Sequence, residues 1–283
     1  MKQWKSILVI IVIAGLSFIA YAQTPKVIRP GAQPQKNADK IPVPYPYVRD
    51  ADVMWSKRIW RVINLKEKFN HPLYYPSTPI ADRKSLFDVL KDGALQDTTV
   101  SCYSPTNDEF TIKLTKSELE ALLINWDSSA TTEDPVNPGN MIPAPVKKEI
   151  TSEDITKYWI KEDWFFDKQR SVMEVRIIGI LVLTAKKTES GEDAGGDKPL
   201  FWVYFPEIRP VLANSDVYMR HNDAERRSLD DIFMKRMFSS YIVKESNVYD
   251  RYIGDYTMGV NALLESERVK EDVFNFEHDL WHY

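Results

Sequence analysis

His278 and His282 stand four residues apart near the end of the chain, a spacing that sets two imidazoles on one helix side and on one metal ion. A zinc hydrolase of that pattern also needs Glu directly after the first His as general base, and here that residue is Asp279. The pair therefore reads as a solvated or packed helix end. Cys102 is the sole cysteine, so it closes no intrachain disulfide. No thiol-enzyme signature surrounds it, and it reads as a buried, inert thiol. The segment Gly191–Asp197 lacks the alternating ligands and closing Glu of a calcium loop and reads as a hairpin tip. Glu162, Asp163 and Asp167 supply carboxylates, but nothing in their spacing pairs them for acid–base work. No phosphate-cradling glycine loop and no nucleophile elbow occurs. The expectation is a protein that is not an enzyme and holds no metal or cofactor.

Ring side chains are plentiful instead: eight Trp, fourteen Tyr and twelve Phe, several of them set among charges. Residues Asp52 to Pro76 show this best. At helical period, Trp55, Ile59, Val62, Ile63 and Phe69 fall on one side, as a core-facing stripe does. Val53 and Trp60 then share the polar back with Ser56, Lys57, Asn64 and Glu67. A Trp in a charged rim is what buried protein contacts use, so Val53 and Trp60 are candidate interface residues. The bland reading has Trp60 covered by a loop of its own chain. A strand over Arg58–Leu65, with Ile59, Arg61, Ile63 and Leu65 on one face, is the alternative secondary structure. Trp159 and Trp164 lie in a second crowded run with Phe165, Phe166, Lys161 and Glu162. They suit a core element, a subunit contact or a sugar-stacking surface.

Stepping outward, ten of the seventeen prolines fall in two segments that divide the chain. Residues 23–47 end in Pro42, Pro44 and Pro46 and favour an extended polyproline arm, on which Tyr45 and Tyr47 are further candidate contacts. Residues 127–145 read as a linker. The expected organisation is a leader over 1–22, the arm, lobes over 48–126 and 146–283, or else one continuous domain over 48–283. Helices are expected at Ser85–Leu95, after the capping pairs Thr115/Glu118, Thr151/Asp154 and Ser228/Asp231, and from about Met258 to Trp281, with Val260, Leu263, Leu264, Val273 and Phe276 among its apolar positions. Strands are expected at Glu109–Leu114, Ser171–Lys186, Leu200–Phe205 and Ser240–Glu245. The fold class is α+β: an antiparallel sheet flanked by helices, preceded by the extended arm.

Lys2 and Lys5, the apolar run Ile7–Ile19 and the small-residue site Ala20-Tyr21-Ala22 form a secretory leader, cleaved after Ala22. The whole chain carries −4, from 37 basic and 41 acidic side chains. Loss of Lys2 and Lys5 takes it to −6. An acidic chain without a basic stripe excludes sequence-independent nucleic-acid binding.

The block Asp52–Arg61, followed by Asn64-Leu65 and Asn70–Pro76, resembles the gliding-motility protein GldN/PorN family of the type IX secretion system. Phe201–Pro206 and Arg209–Asn214 support the resemblance. The resemblance implies a non-enzymatic periplasmic protein that self-associates in a ring with an outer-membrane lipoprotein (GldK/PorK-like). It also implies contact with the periplasmic part of an inner-membrane motor (GldM/PorM-like), for protein secretion and gliding. Membrane contact would come only through these partners. The rival reading is a periplasmic glycan- or peptidoglycan-binding module that uses Trp159 and Trp164 as platforms.

Overall fold

Val53–Asn64 forms a strand, β1, not the helix expected over this stretch but the alternative named for Arg58–Leu65, extended toward its N-terminus. Its buried residues come in consecutive pairs, Ile59-Trp60 and Val62-Ile63, because both faces of the sheet are covered there. Two-sided burial erases the alternation that marks a half-buried strand. The same apolar positions then fit a helical stripe by coincidence.

A computed structural model describes residues 40–80, 83–96, 99–127, 131–133, 141–143, 146–187, 193–217 and 227–280. The leader, most of the arm and His282 lie outside these. The main strands after β1 are β2 (Cys102–Tyr103), β3 (Ile155–Asp167), β4 (Val172–Lys187), β5 (Asp193–Tyr204) and β6 (Tyr241–Glu245). They make one six-stranded sheet in the order β6-β1-β3-β4-β5-β2, antiparallel at every pairing. Strands from both sides of the proline-rich segment 127–145 thus contribute to one sheet. The longer helices are α1 (Leu86–Leu95), α2 (Lys116–Leu122), α3 (Phe205–Ala213), α4 (Leu229–Met234) and α5 (Val260–Asp279), with single helical turns at His71–Tyr74 and Ile253–Tyr256. The fold is α+β, as the sequence indicates.

Local chemistry sets the helix starts. Ser85 accepts from the Asp88 amide at α1, and Thr115 with Glu118 and Ser228 with Asp231 form reciprocal boxes at α2 and α4. Thr151 and Asp154 form the same box, yet it closes a single 3-10 turn and leads into β3 instead of a helix. Ile155, Tyr158, Trp159 and Ile160 prefer a pleated surface, and the sheet decides. Glu109–Leu114, expected as a strand, is the descending limb of a loop. Within it, Ser104 N–H donates to Ile112 O and Leu114 N–H to Cys102 O.

One sheet face carries the row Ile63, Tyr158, Val182 and Phe201, joined by register and packed in the main core with α1, α3 and α4. The opposite face carries a smaller cluster of Trp60, Leu181, Leu183 and Trp202. A third cluster seats α5 through Val269 and Val273 on Ile59 and Ile242. Ser266 Oγ accepts from the Ile242 amide at 2.8 Å, so a side chain satisfies an edge donor that no neighbouring strand meets. Of the apolar positions expected on the closing helix, Val273 is buried and Phe276 stacks on Trp55, while Val260, Leu263 and Leu264 are exposed.

Candidate functional site

Alternation along β1 turns Trp60 to the face opposite the main core. Register then aligns Lys244, Trp60, Lys161, Gly179 and Tyr204 in one row across β6, β1, β3, β4 and β5. The Lys244 and Lys161 ammonium groups lie 4.8 and 5.6 Å from the Trp60 ring centroid. Gly179 leaves a gap in this row that Phe110 fills: a Cβ added there would meet Phe110 Cζ at 2.3 Å. Phe110 reaches it from a left-handed backbone position, φ 56°.

The loop that carries Phe110 is held by Asp108. Its carboxylate accepts from Trp60 Nε1 at 2.8 Å and lies 3.2 Å from Lys161 Nζ, while its carbonyl accepts from that ammonium at 2.6 Å. Burial lowers the Lys161 pKa, and Asp108 opposes the shift. A depressed lysine marks a candidate nucleophile or base. Here the side chain is 3 % exposed and committed to Asp108, which makes it part of a structural latch.

Trp60 is therefore 7 % exposed and covered by its own chain, which corrects its placement on the polar back of a helix. Its edge still lines a groove of about 740 Å³, together with Val53, Tyr45, Val48, Arg58 and Tyr204. Three of the residues nominated from sequence thus meet in one groove. Arg58 and Asp163 make a bidentate pair at its rim, 2.7 and 2.9 Å. Tyr45 is half-buried between the guanidinium groups of Arg209 and Arg176, 5.0 and 5.4 Å from its ring centroid. Burial raises its pKa, with Arg209 opposing. Arg176 also donates to Pro46 O at 2.6 Å, and the Lys40 amide donates to Asn214 Oδ1 at 2.8 Å. The end of the proline arm is thus pinned to its own chain, with Tyr47 86 % exposed.

Trp159 and Trp164 are not brought together. Five apart on β3, they point to opposite faces, Trp159 toward Tyr252 at 5.8 Å and Trp164 into the cluster beneath α5. Trp164 Nε1 donates to the fully buried Glu162, which Arg236 grips at 2.9 and 3.1 Å. They offer no common platform for a sugar. Cys102 is buried, its thiol pushed up to about 12 by burial and by Glu207. Among the described residues no group of three or more His, Cys, Asp or Glu could hold a metal. No helix among them is long and apolar enough to cross a membrane.

Asp108, Phe110, Lys161 and Lys244 were not singled out by sequence as working together. The available signal was turn chemistry: Asn107 Oδ1 accepts from the Glu109 amide at 2.8 Å, an Asx turn that breaks the expected strand.

The fold and groove define an α+β sheet protein with a latched aromatic face and an ion-paired groove beside it. The chain belongs to the GldN family, since the model for gliding motility associated protein GldN matches residues 48–282. No curated protein matches the chain.

Proposed function

We propose that this gliding-motility-associated chain is a non-enzymatic structural subunit of the type IX secretion system. In this reading it self-associates in a periplasmic ring with a GldK/PorK-like outer-membrane lipoprotein. It couples that ring to a GldM/PorM-like motor domain, and through it serves protein secretion and gliding. The observation that carries the reading is the family match over 48–282. The secretory leader supports the compartment, and the groove lined by Tyr45, Val53 and the Trp60 edge supports a role in protein contact. Tyr47 is the nominated ring that stands most free for another chain.

The test is to remove the chain from a gliding cell and return it intact or with Tyr47→Ala and Val53→Asp together. Exported protein in the medium, colony spreading and recovery of the lipoprotein with the chain are then measured. All three are expected to fall without the chain and to return only with the intact form. Secretion and spreading that continue in its absence sink the reading.

A further inference from the structure

Between β6 and the start of α5, where Ile253 is buried, several other apolar side chains face solvent: Val248 is 98 % exposed, Met258 83 %, and Tyr249 and Val260 are exposed as well. In their midst Arg251 lies between two tyrosine rings, its guanidinium carbon 4.9 Å from the Tyr249 centroid and 4.5 Å from that of Tyr256. Asn247 fixes the turn that holds it, accepting from the Tyr249 and Arg251 amides and donating to the Arg251 carbonyl.

The neighbouring carboxylates are already engaged. Asp250 pairs with Lys244, Glu245 with Lys57, and Glu265 with Arg268 and the Tyr256 hydroxyl. Lys270 takes Glu267, and Arg268 also reaches Asp272. Among the described Lys and Arg of this C-terminal stretch, Arg251 is left without a carboxylate. A guanidinium stacked on rings keeps its planar donor edge free, the geometry that grips a carboxylate through two parallel hydrogen bonds.

We propose that Tyr249, Arg251 and Tyr256, with Val248, Met258 and Val260 around them, form a docking site for a segment of a partner protein that carries a carboxylate among bulky apolar side chains. The free donor edge of Arg251 selects a carboxylate, and the exposed aliphatic surface selects apolar neighbours for it. Ring-stacked Arg with an apolar surround is the composition that dominates protein contacts. An anionic lipid surface fits less well: a single carboxylate needs only the Arg251 edge, whereas an extended anionic surface would also face the acidic adjoining helix with Glu265, Glu267, Glu271 and Asp272. The inference goes beyond the secretion-system reading and stands without it.

The full chain is titrated with two blocked synthetic peptides, one alternating leucine with glutamate and one alternating leucine with glutamine. Binding is followed by calorimetry and by the Tyr249 and Tyr256 ring resonances. The glutamate peptide is expected to bind about tenfold or more tighter. Arg251→Gln removes that preference while the melting curve stays in place, and Arg170→Gln, at an arginine paired with Asp167 and Glu174 on the β3–β4 turn, leaves it intact. Equal binding of both peptides, no binding of either, or indifference to Arg251→Gln overturns the proposal. So does a concentration-dependent dimer, or pelleting with phosphatidylglycerol vesicles, that Arg251→Gln abolishes, since the patch would then belong to a second copy or to a membrane.

Discussion

The Trp60 indole donates to Asp108 Oδ2 at 2.8 Å, and the same carboxylate lies 3.2 Å from the Lys161 ammonium. One acid from a surface loop thus holds two adjacent side chains of a row that crosses five strands. Backbone hydrogen bonds tie the base of this loop to β2, through Ser104 with Ile112 and Leu114 with Cys102, and its tip is held by charge and aromatic packing.

Trp60 is accordingly a folding residue first. Trp60→Ala empties a site 7 % exposed and is expected to lower stability by about 3–5 kcal/mol, within the range for large core truncations. Trp60→Phe keeps most of the apolar surface and loses the N–H donor, for about 1 kcal/mol. Urea unfolding with an unchanged slope measures both. A Trp60→Ala midpoint equal to that of the parent would mean that the ring is dispensable to the fold.

Gly179→Ala should be costly for a reason unrelated to strand propensity. The new methyl meets Phe110 Cζ at 2.3 Å and the Val203 carbonyl at 2.9 Å. Overpacking of this kind costs about 1–3 kcal/mol. Phe110→Ala in the same chain should recover part of the loss, because the ring clash is removed and the carbonyl clash is kept. A double-mutant cycle that shows simple additivity between positions 110 and 179 would dissociate the two residues.

The legible parts of the fold were the local ones. Thr115/Glu118 and Ser228/Asp231 announce α2 and α4 because a capping box is satisfied within four residues. The central apolar run of β4 announces a buried strand by composition alone. β1 misled because its burial is two-sided at Ile59-Trp60 and Val62-Ile63, and that depends on strands and a loop up to about a hundred and eighty residues away. The site was legible as a set of residue types, with Tyr45, Val53 and Trp60 reaching one groove. The latch was not legible, since the left-handed Phe110 is comfortable only against the gap at Gly179. Trp159 and Trp164 look like one surface in sequence and separate once strand alternation is known.

Arg209 joins two features, a buried bidentate pair with Asp230 at 2.9 and 3.2 Å and a stacking contact with Tyr45. Arg209→Met leaves Asp230 buried without its cation, at a cost of about 3–5 kcal/mol. It also frees one side of the Tyr45 ring, so trypsin should cut faster at Lys40 and Arg49. Asp230→Asn weakens the pair and leaves Arg209 on the ring, so it should destabilise the fold with much less effect on arm cleavage. Equal acceleration by both variants would mean that the arm opens only with the whole protein.

Cys102 should make the fold alkali-sensitive. Its thiol titrates near 9.0 in the unfolded chain and about 12 in the folded one, raised by burial and secondarily by Glu207. Between those values the unfolded chain has released a proton that the folded chain keeps, so stability falls as pH rises. The contribution is fully present below pH 9 and is lost on approach to 12, amounting to ~4 kcal/mol across the gap. Cys102→Ala should therefore flatten the stability profile above pH 9, leaving the part due to the buried Tyr158 hydroxyl, whose pKa burial also raises. In the parent, a thiol reagent at pH 8 should label Cys102 only as fast as the protein opens, and urea should make labelling immediate. Rapid labelling of the native chain, or an alkaline profile unchanged by the substitution, would show that the thiol is not sealed between β5 and the α1–α2 layer.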